Sequence, residues 1–150
     1  MTFLKTKEAR LEQLLPIIRE QLQNGQSVRF TTNGTSMLPM LRDGRDQVVL
    51  SPLPVRLKKY DLPLYRRENG QFVLHRVVAV GETYTCVGDN QFDFESGLRH
   101  EQMIGVVTAF THKGRTYSVN DFSYKLYCRF WHCSRFPRRV YRAVKRRLCP

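Results

Sequence analysis

Ser36 stands in the segment Asn33-Gly34-Thr35-Ser36-Met37-Leu38-Pro39-Met40-Leu41. A glycine two residues before a serine permits close backbone approach, and the Met-x-Pro that follows suggests a short, sharply turned helical start. A hydroxyl at such a start lies beside backbone N–H groups free to bind an oxyanion. A serine is a weak nucleophile without a base to take its proton. His75, in Phe72-Val73-Leu74-His75-Arg76-Val77-Val78, is the best-placed candidate, with His100, His112 and His132 the weaker ones. Strand alternation puts His75 on the face of Val73 and Val77, opposite Arg76. The third piece is Gly88-Asp89-Asn90-Gln91-Phe92-Asp93-Phe94-Glu95, whose carboxylates Asp89, Asp93 and Glu95 could orient an imidazole or support the site.

These residues fall in the middle of three regions. In residues 1–26, Leu11, Leu14, Leu15, Ile18 and Leu22 share one helical face, Pro16 should kink it, and Asn24-Gly25 should stop it. Residues 27–112 alternate short extended runs with turn residues. Strands are expected at Val28–Thr32, Gln47–Leu50, Leu62–Arg66, Phe72–Val80, Thr83–Val87 and Ile104–Phe110. With no helical pattern between them, the fold class is mostly β: a compact antiparallel β-domain flanked by an N-terminal helix and C-terminal basic helices. Residues 113–150 return to helical spacing, with Phe122, Leu126 and Phe130 four apart and Val140, Val144 and Leu148 continuing that stripe.

Of the 150 residues 41% are apolar and 25% charged, which excludes a wholly disordered chain. No apolar run approaches the ~20 residues of a bilayer-spanning helix, and Met1–Arg10 shows no signal-peptide pattern. A cytoplasmic protein is expected. Cys86, Cys128, Cys133 and Cys149 fit neither a disulfide framework nor a standard zinc spacing, so reduced thiols and no metal are expected. The net charge of +12 is concentrated: residues 113–150 hold 11 Lys/Arg against one acid, Asp121. Such a tail seeks an anionic membrane, nucleic acid or an acidic protein.

Taken in order, Gly34-x-Ser36-Met37-x-Pro39, Gly44-Arg45-Asp46, His75-Arg76-Val77-Val78 and Gly88-Asp89-Asn90 resemble the type I signal peptidase superfamily, which also contains the self-cleaving SOS repressors. The resemblance covers about residues 28–110 and is closest to the histidine-type branch typified by endoplasmic-reticulum signal peptidases. It implies the peptidase β-fold, Ser36 as nucleophile, His75 as general base and Asp89 as support. An ungapped match puts the catalytic acid at Glu95, and a loop shorter by two puts it at Asp93. No cofactor is implied. Where the pattern has a second Gly-Asp, this chain has Tyr60-Asp61, followed by Leu62-Pro63, which points to an edge strand or a bulge.

The function expected is therefore a serine endopeptidase cleaving a leader or signal-like peptide segment. A catalytically inactive peptidase-like binding module and a repressor-like nucleic-acid-binding regulator are the alternatives. The tail supplies a place of action. At about 100° per residue, Val140, Tyr141, Val144 and Leu148 fall on one arc, and Arg138, Arg139, Arg142, Lys145 and Arg146 on the opposite one. With Phe130 and Trp131 as interfacial aromatics, this helix is expected to lie on an anionic membrane surface. The competing expectation packs its apolar arc on the β-domain.

Overall fold

The computed structural model describes residues 2–149, with side chains from Arg10 onward. Helix α1 (Thr2–Gln23) buries Leu15, Ile18 and Leu22, three residues of the predicted face. Pro16 sits inside the helix without ending it. The stop comes at Gly25, whose φ of +75° suits a residue without a side chain. Its amide donates to the Leu22 carbonyl and that of Gln26 to Gln21, a Schellman closure.

Nine strands follow: β1 (Val28–Thr31), β2 (Gln47–Ser51), β3 (Pro63–Arg66), β4 (Phe72–Leu74), β5 (Arg76–Val80), β6 (Tyr84–Val87), β7 (Glu95–Leu98), β8 (Met103–His112) and β9 (Arg115–Ser118). Helices α2 (Phe122–Cys133) and α3 (Arg135–Leu148) follow them. All strand pairings are antiparallel. One sheet runs β1-β2-β8-β3-β4, with β9 paired to β8, and a second runs β5-β6-β7. The mostly antiparallel β-domain with helices at both ends is thus as expected.

Four local expectations change. The run Phe72–Val80 is two strands rather than one, because β4 pairs with β3 while β5 pairs with β6. His75 is the single residue between them and sits where the chain passes from one sheet to the other. Strand β3 is interior, between β8 and β4. Pro63 is tolerated there because it is the first residue of the strand, where a missing donor costs least, and the register shifts just beyond it, between Leu64 and Tyr65. Strand β7 occupies part of the acidic loop, with Gly97 at a φ of +75° within a bulge against β6. Strand β9 extends the β-domain to Ser118, so the helical tail begins at Phe122 and not at residue 113.

Two apolar clusters fill the fold. Val48, Leu50, Leu62, Leu64, Val107 and Phe110 meet α1 on one side and Tyr124 and Cys128 of α2 on the other. Tyr65, Val77, Tyr84, Cys86, Leu98 and Met103 form the second, between the sheets. Helix α2 therefore packs through Tyr124 and Cys128, and the stripe Phe122, Leu126 and Phe130 points out, 79%, 56% and 67% exposed.

What turns α2 that way is a buried ion pair. The guanidinium of Arg76 donates from Nε and Nη2 to the two oxygens of Asp89, both at 2.8 Å, and the two side chains are 1% and 0% exposed. Arg76 Nη1 also donates to Tyr124 Oη at 2.8 Å and to Cys128 Sγ at 3.0 Å, and Tyr127 Oη donates to Asp89 at 2.8 Å. Polar partners on α2 thus override its apolar stripe. Removing one member of such a pair leaves an uncompensated buried charge. Asp89→Ala is expected to lower stability by about 3–5 kcal/mol in urea denaturation. Phe122→Ser, on the outward stripe, should change it by less than about 0.5 kcal/mol.

Candidate active site

The loop from Thr32 to Asp46 carries Ser36 and is clamped at both ends. Thr32 and Asp46 face each other through the Thr32 amide and hydroxyl, both donating to the Asp46 carbonyl, and Gly44 donates back to Thr32. The Asp46 carboxylate is 1% exposed. It accepts from the Arg42 amide and guanidinium and faces His112 Nδ1 at 3.1 Å. Those bonds, those of Arg42 foremost, hold it well below the usual carboxylate range. Gly34 donates to Asp43 at 2.8 Å, while Met37 and Met40 anchor the turn in the core. The segment after Ser36 is a turn closed by Leu41 N–H to Met37 C=O at 3.0 Å, not a helix. The oxyanion argument survives this change: among the described residues, no acceptor meets the amides of Ser36 and Met37.

Ser36 reaches the rest of the site through the Gly88–Asn90 turn. The Asn90 amide donates to the Ser36 carbonyl at 2.8 Å, and the Asn90 side chain to Thr35 at 3.0 Å. The approach is so close that a Cβ on Gly88 would stand 2.6 Å from the Ser36 carbonyl oxygen, which is why only glycine fits. The same turn leaves β6, whose Val87 pairs with Arg76. His75 is thus one residue from the register position that faces the turn holding Ser36. Ser36 is half-buried, and its hydroxyl makes no hydrogen bond among the described residues, to His75 or to any other group.

His75 is 5% exposed. Its Nδ1 lies 3.4 Å from Tyr65 Oη, and Tyr65 in turn donates its only proton to Glu95 Oε2 at 2.9 Å. Oη therefore offers Nδ1 a lone pair, which selects the tautomer protonated at Nδ1. Nε2, without a partner among the described residues, is left as the proton acceptor. Burial, followed by the Glu95 bond, keeps the Tyr65 phenol far above its ordinary range, so this polarity holds across physiological pH. Glu95 is gripped by Arg67 through both oxygens, at 2.9 and 2.8 Å, and lies below its usual pKa mainly for that reason.

The predicted residues are thus brought together in part. Glu95 is joined to His75, but through Tyr65 and not by direct contact. Asp93 is exposed and makes no bond among the described residues. Asp89 is consumed by Arg76 and Tyr127 and shapes the turn. Of the weaker histidines, His100 pairs with Tyr84 at 3.1 Å, His112 belongs to the Asp46 clamp, and His132 meets the edge of Tyr60. Tyr65 and Arg67 were not singled out by sequence. Tyr65 follows Leu64 in a predicted strand, but its bond to Glu95 of the other sheet has no local signal.

Around His75 and Glu95 opens a cleft of about 700 Å³, bounded by Phe92, Asp93 and Phe94 on one side and by Arg139, Arg142 and Arg146 of α3 on the other. Helix α3 therefore docks with arginines inward, the reverse of the competing expectation that its apolar arc packs on the β-domain. Arg135 Nη1 donates to the carbonyls of Gly88 and Gln91, Arg138 to Asp89, and Arg142 to Asn90. Trp131, expected at an interface, is turned inward: Nε1 donates to the Asp89 carbonyl at 2.7 Å, and Arg138 lies 3.7 Å over its ring. The apolar arc faces out, with Val140 47%, Val144 48% and Leu148 74% exposed. No helix among the described residues is long and apolar enough to cross a membrane. No protein-family model matches the chain, and no curated protein matches it significantly.

Burial first, and the Arg67 cation second, depress the His75 imidazole to about 4. It is consequently neutral, the form a base requires, well below the pH suggested by a free histidine at about 6.5. NMR of the ring should report a midpoint near 4. The unfolded chain binds this proton first. Stability should therefore be full above about pH 6.5 and decline as pH falls toward 4, by about 3 kcal/mol in all. His75→Gln should flatten that part of the pH–stability curve.

Proposed function

We propose that the protein is a serine endopeptidase with the signal-peptidase type of β-fold, acting on a leader or signal-like segment of a peptide. The observation that carries this reading is the shared turn: the Asn90 amide holds Ser36, and the strand leading into that turn pairs beside His75. Three of the four sequence motifs of the resemblance interlock, Arg76 with Asp89 and Gly88 against Ser36.

In this reading His75 Nε2 takes the proton of Ser36 Oγ as the oxygen attacks the scissile carbonyl. The amides of Ser36 and Met37 stabilise the oxyanion. Protonated His75 then gives the proton to the leaving amine, and water releases the acyl group by the reverse route. Tyr65 passes the influence of Glu95 to Nδ1 and supports the imidazolium that forms in between. The hydrogen bond between Ser36 and His75 is made only with substrate bound, as is common for catalytic pairs.

The outward face of α3 supports a place of action. Phe136, Val140, Val144 and Leu148 occupy one arc of the helix, together with Arg147, and Lys145 and Arg139 flank it. That pattern suits the headgroup region of an anionic bilayer. A second copy of this chain would bring a second cationic tail against the first, which disfavours self-association there.

A fluorophosphonate probe should label the wild-type protein at Ser36, fail on Ser36→Ala and react at least about a hundredfold more slowly with His75→Ala. Glu95→Gln should slow labelling more than Asp93→Asn. No labelling of the wild type would favour the inactive binding module. Flotation with phosphatidylserine vesicles should carry the full-length protein, weaken with salt, and fail after Val140→Ser, Val144→Ser and Leu148→Ser combined. Point substitutions on the exposed arc leave α2 in place over the core. A protein that stays with the soluble fraction at low salt would end the membrane reading.

A further inference from the structure

We infer that the cleft beside His75 selects a peptide carrying acidic residues, recognised by Arg139, Arg142 and Arg146 of α3. The inference deepens the peptidase reading by naming the substrate's chemistry. Three guanidinium groups at spacings of three and four along one helix face line the same cavity as His75. None of the three has a carboxylate partner among the described residues. Arg142 is steadied by Asn90, through the backbone carbonyl at 3.2 Å and the side-chain oxygen, and by its place over the Phe92 ring, 5.1 Å from the centroid. Both partners are neutral, so its charge is aimed but not spent.

Arginine clusters that face a cleft without compensating acids raise the local concentration of anions and bind carboxylates through paired N–H donors. The opposite wall has the other sign, since Asp93 is unpaired and Glu95 is shared between Arg67 and Tyr65. A continuous phosphate backbone passing through the cleft would meet Asp93 and be repelled. A peptide can place its carboxylates on the α3 wall alone. The Phe92 ring, one that could stack on a base, already lies against the guanidinium groups of Arg138 and Arg142.

The test measures binding, so it is independent of turnover. Fluorescence anisotropy on the Ser36→Ala protein would compare a labelled short peptide containing a Glu triplet with the same peptide carrying Gln in its place. The Glu peptide should bind at least about tenfold more tightly, with the advantage shrinking as salt is added. Arg139→Gln with Arg146→Gln should abolish the preference. Lys125→Gln with Arg147→Gln removes the same charge elsewhere and should leave most of it intact. Equal loss in both double variants would reduce the effect to net charge and overturn the proposal, as would equal affinity for the two peptides. A single-stranded oligonucleotide that displaced the Glu peptide with the same dependence on Arg139 and Arg146 would overturn it in favour of nucleic acid. Probe labelling of Ser36 is scored separately, so an inactive protein that prefers the Glu peptide refutes the peptidase reading and leaves this one standing.

Discussion

The ion pair of Arg76 and Asp89 joins more of this protein than any other single contact. Withdrawing both charges from water costs several kcal/mol for each, a cost recovered only when geometry is good and the remaining donors and acceptors are met. Here the pair is bidentate, and Tyr124, Cys128 and the Tyr60 carbonyl take the third nitrogen of Arg76. Tyr127 takes the free lone pair of Asp89. Arg76 follows His75 directly, and Asp89 precedes the residue that holds Ser36. One contact thereby sets the place of His75, the turn on which Ser36 rests, and the orientation of α2.

That arrangement separates two tasks often given to one carboxylate. Asp89 is buried and structural, while Glu95 lies at the edge of the cleft and acts on the imidazole through a phenol. The division suits the surroundings of each. Deep burial favours a carboxylate with a permanent cationic partner. The more accessible Glu95 is held by Arg67, and the Tyr65 hydroxyl between it and His75 fixes the ring tautomer without placing a negative charge against the ring. Burial can then lower the imidazole pKa with less opposition than a directly bonded carboxylate would offer.

Much of this was legible in the sequence where local rules govern. The face of α1, its stop at Gly25 and the six extended runs follow from spacing and residue type, while Ser36, His75 and Asp89 take their roles only from the motif resemblance. Glu95, one of two acids left open, is the one tied to His75. What escaped depends on how the strands divide between two sheets. The break at His75 arises because β3 and β6 claim the two halves of one apolar run, and nothing within Phe72–Val80 marks it. Strand β7 hid in a loop rich in acids and closed by Ser96-Gly97, which serve as a bulge. The helical stripes were legible as stripes, and both face outward although an apolar arc is normally the buried one. Here arginines and tyrosines find buried polar partners instead. Tyr60 shows the converse: a non-glycine residue holds a φ of +77°, a backbone conformation that suits glycine.

The dependence of Asp89 on α2 has a consequence for the order in which the molecule comes into being. Tyr124, Tyr127, Cys128 and Trp131 are translated well after the β-strands that carry Arg76 and Asp89. During synthesis those strands can pair while the charged pair still lies open to water, and the turn against Ser36 lacks its cover. The arginine wall, translated later again, is added last. A nascent chain would thus hold all nine described strands before α2 and α3 could cover the turn against Ser36. The assembly of the β-domain and the onset of any activity are separate events on the ribosome.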